Sequence, residues 1–290
     1  MNKVSLILLG LSLAVAGGSV AAAQESASMP KVLQITREFI KPYKGGAAHD
    51  KTESAFVATM TKTKFPAYYL GLNSLSGKSR ALYLTAYDSF ETWEKDNKLV
   101  GKNPALAAEM ERDAIADAEL LDEVDSGVFV YSEDLSYRPH ADVSHAHYME
   151  ITEFHIRLGH DGDWHKLTKM YKDAQEKAGT SAHWATYQAA YGANDGTYLT
   201  LSSDTSMAEI DKGYGEDSRK FAAALGEDGM KALDELYGAT VESANTQLFS
   251  INPKQSYVSP DWIKADPDFW KPKPAAAPAA KPAAAEKKTP

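Results

Sequence analysis

Cysteine is absent from the 290-residue chain, and this absence removes several classes of chemistry at once. Disulfides, thiolate nucleophiles, lipidated cysteines and cysteine-ligated metal centres are all excluded. An excess of basic side chains is also lacking, because 40 Asp and Glu residues against 31 Lys and Arg residues give a formal net charge of −9. A nucleic-acid partner is therefore not expected. The sequence also lacks a phosphate loop, a nucleotide-binding fingerprint and a recognisable catalytic triad, so we assign no catalytic residue.

Long apolar runs are missing too, and the longest one lies near the N-terminus. The run from Val4 to Val15 is shorter than the roughly 20 apolar residues that a membrane span needs. It follows the basic Lys3 and precedes Ala21-Ala22-Ala23, the layout of a cleaved secretory signal peptide. We therefore predict a signal peptide at residues 1–23, an N-terminal linker at 24–30, no membrane span, and a periplasmic or secreted location.

The C-terminal end has a biased composition. Residues 259–290 are predicted to form a C-terminal extension that is disordered from about residue 271, where Ala, Pro and Lys make up nearly all of the sequence. This basic tail can be interpreted as a solvated spacer, or as a weak contact with anionic polymers of the cell envelope. The aromatic residues just before it, Trp262, Phe269 and Trp270, are predicted to pin the last ordered segment onto the body.

An internal repeat organises the body of the chain, with an offset of about 115 to 118 residues. Ile35-Thr36 returns as Ile151-Thr152, and Tyr83-Leu84-Thr85 returns as Tyr198-Leu199-Thr200. Each copy has the pattern strand, helix, strand, strand, helix, strand, which is the ferredoxin-like unit. The fold class is therefore predicted to be α+β.

Two such units in one chain suggest how the open faces of their sheets become covered. We predict two fused ferredoxin-like (βαββαβ) repeats, at residues 31–139 and 140–258, that form a pseudo-dimeric α+β barrel. In the first copy, strands are predicted at Val32 to Ile40, Ala67 to Leu72, Arg80 to Tyr87 and Val128 to Tyr131. In the second copy, they are predicted at His147 to Leu158, His183 to Ala190, Thr197 to Leu201 and Gln247 to Ile251.

The helices are predicted from apolar spacing and from capping signals. In the first helix, the residues spaced by three and four that predict its buried stripe are Thr52, Ala55, Phe56, Thr59 and Met60. The second helical region of each copy is predicted to open with a capping box, at Asp88 with Glu91 and at Ser206 with Glu209. The helices that follow are predicted to run from Asn103-Pro104 to about Asp125 and from Asp217 to Ala244.

The opening of each copy resembles a known group of proteins. The segment from Phe154 to His160, followed by Trp164, resembles the strand-turn-helix opening of the dimeric α+β barrel superfamily. That superfamily includes the antibiotic-biosynthesis monooxygenase-like and NIPSNAP-like families. Arg37 to Pro42, followed by Ala47-Ala48-His49, resembles secreted tandem-repeat bacterial members without an assigned activity. The resemblance covers residues 31–258 and implies architecture rather than function.

The resemblance also bears on haem. Haem-degrading members use an asparagine on the first strand, which this sequence lacks in both copies, and chlorite dismutase relatives use a helical histidine as the axial ligand. His165 is the nearest equivalent, but the apolar stripe passes through Trp164, Leu167 and Tyr171, which leaves His165 beside Lys166 and Lys169 on a solvated face. We therefore expect no cofactor.

Two histidines form a weak metal-binding candidate. His145 and His147 are predicted on one face of an incoming strand, about 7 Å apart, with His140 and Asp142 close enough in sequence to complete a ligand set. The alternative interpretation is a polar linker without a metal, and we assign no metal on this spacing alone.

A second candidate is a ligand pocket in the barrel. Arg37 and Glu153 occupy equivalent positions in the two first strands, where they could orient a ligand or form a structural ion pair. The remaining candidates are histidine and aromatic residues on strands, which could line a pocket or be plain core: Tyr68, Tyr69, His155, His183, Trp184 and Tyr187.

Three functions remain open from the sequence. The first is binding of a small, partly apolar molecule, or an accessory role without catalysis, which a barrel with internal cavities would allow. The second is an oxygenase-type enzyme without a cofactor, in which Arg37 or a histidine stabilises an oxyanion. The third is a structural envelope protein tethered by the Lys/Pro tail.

Overall fold

A computed structural model describes residues 29–139 and 142–271 of the chain. The predicted signal peptide, most of the predicted linker, the Ala/Pro/Lys tail beyond Lys271, and His140 lie outside these residues. Within the described residues, no helix is both long enough and apolar enough to span a lipid bilayer.

The strands and helices follow the predicted order. The strands are β1 Val32–Ile40, β2 Tyr69–Ser74, β3 Arg80–Tyr87, β4 Leu121–Tyr137, β5 Tyr148–Ile156, β6 Trp184–Tyr191, β7 Thr197–Asp204 and β8 Val241–Ile251. The helices are α1 Ala47–Thr63, α2 Phe90–Lys102, α3 Pro104–Ala118, α4 Asp161–Ala178, α5 Met207–Lys212, α6 Ser218–Thr240, α7 Pro260–Ala265 and α8 Pro267–Trp270.

The eight strands close into one antiparallel barrel, so the fold is α+β as predicted. The strand order around the barrel is β1, β3, β2, β8, β5, β7, β6, β4. In the first half β1 pairs with β3 and β4, and in the second half β5 pairs with β7 and β8 in the same way. The β2–β8 and β4–β6 pairs join the two halves and leave no free sheet edge in the barrel.

The side chains of each strand alternate between two environments. Leu33 and Ile35 of β1 belong to the apolar core inside the barrel, together with the fully buried Leu72, Phe129 and Phe249. Because successive side chains point to opposite faces of a sheet, the even-numbered residues of β1 point outward to the helices. The space between sheet and helices is therefore a second interior, distinct from the barrel core.

Strand pairing relates the two halves with an offset that differs from the sequence repeat. Thr36 pairs with Tyr83 in the first half, and Thr152 pairs with Thr200 in the second half. Tyr83 therefore corresponds to Thr200, two residues away from the Tyr198 that the sequence match selects. A shift of two residues keeps every side chain on the same face, so alternation in the sequence does not reveal it.

Several predicted boundaries differ from the structure. Helix α2 is capped by Ser89, whose side chain accepts a hydrogen bond from the Thr92 amide, and not by Asp88. Helix α3 ends at Ala118 rather than near Asp125, because the residues from Leu121 onward extend β4 and pair with β1. Strand β8 begins at Val241 for the same reason, through pairing with β5. The boundaries of β4 and β8 depend on partners more than 80 residues away in the sequence, whereas the start of α2 depends on a local cap.

The C-terminal segment packs on one end of the barrel. Trp262, Phe269 and Trp270 contact the barrel core cluster, and the Trp270 indole N–H donates to the backbone oxygen of Ser144 at 2.8 Å. Burial of large aromatic surface holds this segment in place.

Candidate metal centre

Four acidic or imidazole side chains meet between the sheet and the helices of the first half. They are Glu38 from β1, His49 and Glu53 from α1, and Asp117 from the end of α3. One ligand atom from each lies within 4.8 Å of those from the other three. His49, Glu53 and Asp117 are only 1%, 3% and 2% exposed. We call these four residues the acidic cluster.

The local structure explains why these side chains converge. Glu38 is an even-numbered residue of β1 and points away from the barrel core toward α1. His49 and Glu53 are four residues apart on α1, so they lie on one face of that helix. Asp117 lies in the last turn of α3, which packs against α1.

Hydrogen bonds hold the imidazole of His49 in one orientation. Its Nε2 atom lies 3.1 Å from Oε2 of Glu38 and 3.7 Å from Oδ1 of Asp117. On the other side, the Gln255 side-chain amide lies 3.3 Å from Nδ1 of His49 and donates to Asp50 at 3.0 Å. Gln255 is fully buried and belongs to the segment after β8, so the second half of the chain covers this site.

Two carboxylate oxygens in the acidic cluster have no hydrogen-bond partner. Oε1 of Glu53 and Oδ2 of Asp117 are both buried and unpaired, whereas Oδ1 of Asp117 accepts a hydrogen bond from Thr52 at 2.5 Å. No lysine or arginine among residues 29–139 and 142–271 forms an ion pair with any member of the cluster. Buried polar groups normally have partners, so a proton or a cation beside these two oxygens would be stabilising.

The proximity of the carboxyls shows in their protonation. Burial, followed by the charges of Glu38 and Asp117, raises the pKa of Glu53 to about 9. Burial also raises the pKa of Glu38, although the hydrogen bond from His49 opposes this. Both effects arise because the site has low solvent access and an excess of negative charge.

The geometry suits one divalent cation. Two ligand atoms that bind the same ion at about 2.0–2.2 Å are at most roughly 4.4 Å apart, so small side-chain movements would bring all four onto one ion. Three carboxylates and one imidazole form a mixed oxygen and nitrogen set. Carboxylates favour Mg²⁺, Ca²⁺ and Mn²⁺, whereas imidazole favours Fe, Zn, Ni and Cu, so Mn²⁺ and Fe²⁺ match the combination best.

The corresponding space in the second half is apolar. There Phe154 of β5, Trp164 of α4 and Leu233 of α6 pack together with Tyr198. The Trp164 ring lies 5.0 Å from Phe154 and 5.6 Å from Tyr198, centroid to centroid. An ordinary hydrophobic core thus fills this layer in one half, so the fold itself does not require buried charge there.

No family model and no curated protein sequence matches the chain. Similar solved structures include a putative monooxygenase from Fusobacterium nucleatum, 8% identical with a TM-score of 0.49, covering 77% of this chain and 93% of that chain. A heme-binding protein from Thermus thermophilus is 10% identical with a TM-score of 0.47, covering 79% of this chain and 93% of that chain.

A mutant chlorite dismutase from Candidatus Nitrospira defluvii is also similar, at 9% identity and a TM-score of 0.46, covering 81% of this chain and 95% of that chain. At these identities the similarity concerns the type of fold and gives no information on activity. Monooxygenase-like and chlorite dismutase-like barrels are thus among the similar structures, whereas the narrower NIPSNAP-like resemblance stays a prediction.

Arg37 and Glu153 lie on the same strand faces as Ile35 and Ile151 of the barrel core, and they form no hydrogen bond with each other. Arg37 forms an ion pair with Asp125 of β4. Glu153 instead contacts His155 at 2.9 Å, on the same strand. Both charges therefore have separate partners near one end of the barrel.

The other predicted pocket residues lie in three separate places. Tyr187 is in the barrel core beside Tyr131, with ring centroids 5.5 Å apart. Trp184 packs on Tyr137 and donates to the backbone oxygen of Leu135, while His183 contacts backbone oxygens. Tyr69 is the first residue of β2 and Tyr68 precedes it; the Tyr69 ring lies 6.0 Å from that of Tyr83, centroid to centroid.

His145 and His147 do not lie on one strand, because β5 begins at Tyr148 and His145 is in a short 3-10 turn. His145 contacts Asp142 at 2.6 Å and the backbone oxygen of Ala265 at 3.1 Å. His147 contacts Asp266 at 3.2 Å. Among the described residues, the acidic cluster is the one group of three or more potential metal ligands, and these histidines are not part of it.

Sequence reasoning missed all four members of the acidic cluster. The buried stripe of α1 was predicted from apolar spacing, but the structure buries His49 and Glu53 together with Thr59 and Met60. The available signal was the histidine and glutamate spaced by four residues on a predicted helix, directly after a strand that contains Glu38.

Proposed function

We propose that this protein is a metal-binding α+β barrel protein that holds one divalent cation, Mn²⁺ or Fe²⁺, in the acidic cluster. The observation that carries the proposal is the pair of buried, unpaired carboxylate oxygens on Glu53 and Asp117, which face a histidine and a third carboxyl. A buried carboxylate without a partner is costly unless it is protonated, paired with a cation or bound to a metal. A divalent ion would satisfy both oxygens and balance the excess negative charge.

The sequence predicted binding of a small, partly apolar molecule, whereas the ligand we propose is a divalent cation. An apolar cluster fills the barrel core, with Arg37 and Glu153 near one end, and apolar side chains also fill the space between sheet and helices in the second half. The acidic cluster occupies that space in the first half, which favours an ion over an apolar molecule.

Three further features stay proposals. The identical order and pairing of elements in the two halves supports an origin as two fused ferredoxin-like repeats at 31–139 and 140–258. The N-terminal composition supports secretion to the periplasm or beyond. The oxygenase-type activity and the envelope tether stay predictions from the sequence.

The test is a binding measurement with a matched pair of variants. Asp117 and Asp113 are both buried on α3, one helical turn apart, but Asp113 accepts a hydrogen bond from Thr59 at 2.9 Å and is not in the acidic cluster. Mn²⁺ titration, followed by electron paramagnetic resonance of the free ion, is expected to show one site per chain. Asp117→Asn should weaken binding by more than the roughly 10–100-fold typical of residues outside the ligand set.

Asp113→Asn is expected to leave Mn²⁺ affinity within a few-fold of the wild type. Circular dichroism and thermal unfolding of both variants show whether each is folded. Equal loss of affinity in both variants, or absence of saturable binding in the wild type, would contradict the proposed site.

A further inference from the structure

Four tyrosines form a continuous series from the acidic cluster to the protein surface. Tyr83 of β3 and Tyr69 of β2 have ring centroids 6.0 Å apart, in an edge-on arrangement. Tyr69 lies 6.2 Å from Tyr257, which lies 5.0 Å from Tyr68. Tyr83 is buried, whereas Tyr68 is 41% exposed. We call these four residues the tyrosine series.

The inner end of the tyrosine series lies next to the acidic cluster. Glu38 of β1 pairs with Ala81 of β3, and Thr36 pairs with Tyr83, so Tyr83 is the diagonal neighbour of Glu38 on the face of the sheet that points to the helices. Burial, together with the charges of Glu53 and Glu38, raises the pKa of Tyr83 and of Tyr69. Both hydroxyls are buried and neither has a well-formed hydrogen bond.

The outer end of the series is fixed by backbone pairing. Tyr257 pairs with Tyr69 through two backbone hydrogen bonds, of 2.8 and 3.0 Å, and its hydroxyl donates to the backbone oxygen of Phe65 at 2.9 Å. Tyr257 follows Gln255, which contacts His49. One segment after β8 therefore both covers the acidic cluster and supplies a member of the tyrosine series.

Within the described residues, the second half has no equivalent series. By strand pairing, Thr200 occupies the position that corresponds to Tyr83, and the neighbouring space contains Phe154 and Trp164 in place of carboxyl and imidazole groups. The second half also has a tyrosine in this layer, Tyr198, but its aromatic neighbour is Trp164 rather than another tyrosine.

We propose that the tyrosine series carries single electrons between a redox-active ion in the acidic cluster and a one-electron oxidant at the surface near Tyr68. This inference rests on the proposed metal centre, since without an ion there is no electron donor at the inner end. The protein would then be a one-electron redox protein rather than a passive cation store.

The net reaction would be M²⁺ plus oxidant giving M³⁺ plus reduced oxidant. The oxidant would take one electron from Tyr68, whose phenol would release one proton to water. Tyr257, Tyr69 and Tyr83 would then each give one electron and one proton to restore the preceding phenol, so that the radical would reach Tyr83. The ion would supply the electron, and water the proton, that restore Tyr83, so the proton released at Tyr68 and the proton taken up at Tyr83 cancel.

The experiment uses the full chain loaded with Fe²⁺ under anaerobic conditions and mixed rapidly with hexachloroiridate(IV), a one-electron oxidant that does not exchange ligands. Tyr69→Phe and Tyr68→Phe keep the aromatic rings but remove the oxidisable phenol. Each variant is expected to bind Fe²⁺ like the wild type. Each is expected to form Fe³⁺ at a rate at least about tenfold lower, the change that 1.36 kcal/mol of added barrier produces.

Tyr187→Phe is the matched control, because Tyr187 is buried in the barrel core and its aromatic neighbour is Tyr131. It should leave the rate of Fe³⁺ formation unchanged. Fast freezing of the wild type should also show a tyrosyl radical signal that Tyr69→Phe reduces. Normal Fe²⁺ binding with wild-type oxidation rates in both Tyr69→Phe and Tyr68→Phe would overturn the electron path alone. Absence of Fe²⁺ binding in the wild type would overturn the metal centre and the path together.

Discussion

Replacing Glu53 by Gln should stabilise the metal-free protein at neutral pH while it weakens cation binding. Glu53 is buried beside two other carboxyls, and its pKa is raised to about 9 from an ordinary value of 4.5. Between these two values the folded protein holds a proton that the unfolded chain releases. The free energy of unfolding therefore decreases as the pH rises, and the stabilisation present below pH 4.5 is lost by about pH 9.

The size of this effect follows from the linkage between protons and folding. One proton held by the folded state alone changes the free energy of unfolding by about 1.36 kcal/mol per pH unit. Between about pH 5.5 and about pH 7.5, the metal-free wild type should therefore lose about 2 to 3 kcal/mol of stability through this one group. Glu53→Gln carries no titrating group at this position and should lose much less over the same interval.

The assay is urea unfolding in the presence of a chelator at both pH values, with the exposed Glu94→Gln as a control. The advantage of Glu53→Gln over the wild type should grow with pH, whereas Glu94→Gln should follow the wild type. Saturating Mn²⁺ should reverse the order, because binding to the folded state alone stabilises the wild type by mass action. Parallel pH profiles for wild type and Glu53→Gln would refute the assignment of a buried, proton-holding carboxyl at this position.

Three other predictions concern the residues around the site and the C-terminal segment. Gln255→Ala should weaken Mn²⁺ binding by about 10–100-fold, because Gln255 contacts His49 from outside the ligand set. Calorimetric titration tests this, with the exposed Gln188→Ala as a control that should bind like the wild type. Equal affinities of Gln255→Ala and Gln188→Ala would contradict the prediction. Gly71→Ala should destabilise the fold by about 1 to 3 kcal/mol, because its Cβ would overlap the backbone oxygen of Gln255. Urea unfolding measures this, with Gly101→Ala as a control that should not destabilise because Gly101 has open space around it. An unchanged stability of Gly71→Ala would show that the covering segment moves freely. His145 contacts Asp142 through Nδ1 and the Ala265 oxygen through Nε2, which requires both ring protons, and the Asp142 carboxylate raises the pKa of His145, with Asp266 contributing. Docking of the C-terminal aromatic segment should thus weaken as the pH rises through this raised pKa. Tryptophan fluorescence should change over the same pH range in the wild type and should not change in His145→Gln. The same fluorescence change in His145→Gln as in the wild type would refute the link.

Local sequence signals identified most of the fold. The bounds of β1 and β3 match the prediction residue for residue, because alternating side chains and flanking turn residues define them locally. Closure into a barrel could be expected, since a ferredoxin-like sheet leaves one face to be covered. The end of α3 and the start of β4 could not be predicted, because residues 121–127 become a strand only by pairing with β1.

The acidic cluster was out of reach for a different reason. A histidine and a glutamate four residues apart occur on many solvent-exposed helix faces, so His49 and Glu53 resemble ordinary surface residues of an amphipathic helix. Whether that face is buried depends on the rotation of α1 over the sheet. The apolar spacing of Thr52, Ala55 and Phe56 predicted a different rotation, in which another face of α1 is buried. Asp117 joins the site from 64 residues further along the chain, through the packing of α3 on α1.

The difference between the two halves is what gives the acidic cluster its significance. Both halves present the same layer between sheet and helices, and the second half fills it with Phe154, Trp164 and Leu233. Replacing buried ionisable groups by well-packed apolar residues is often neutral or stabilising, so an apolar solution is available to this architecture and is already used once in the same chain. A cluster of two buried carboxyls, one partly buried carboxyl and a buried histidine therefore works against the stability of the metal-free first half. The cation that we propose would offset this cost, and the proposed electron path through the tyrosine series would give that ion a redox role.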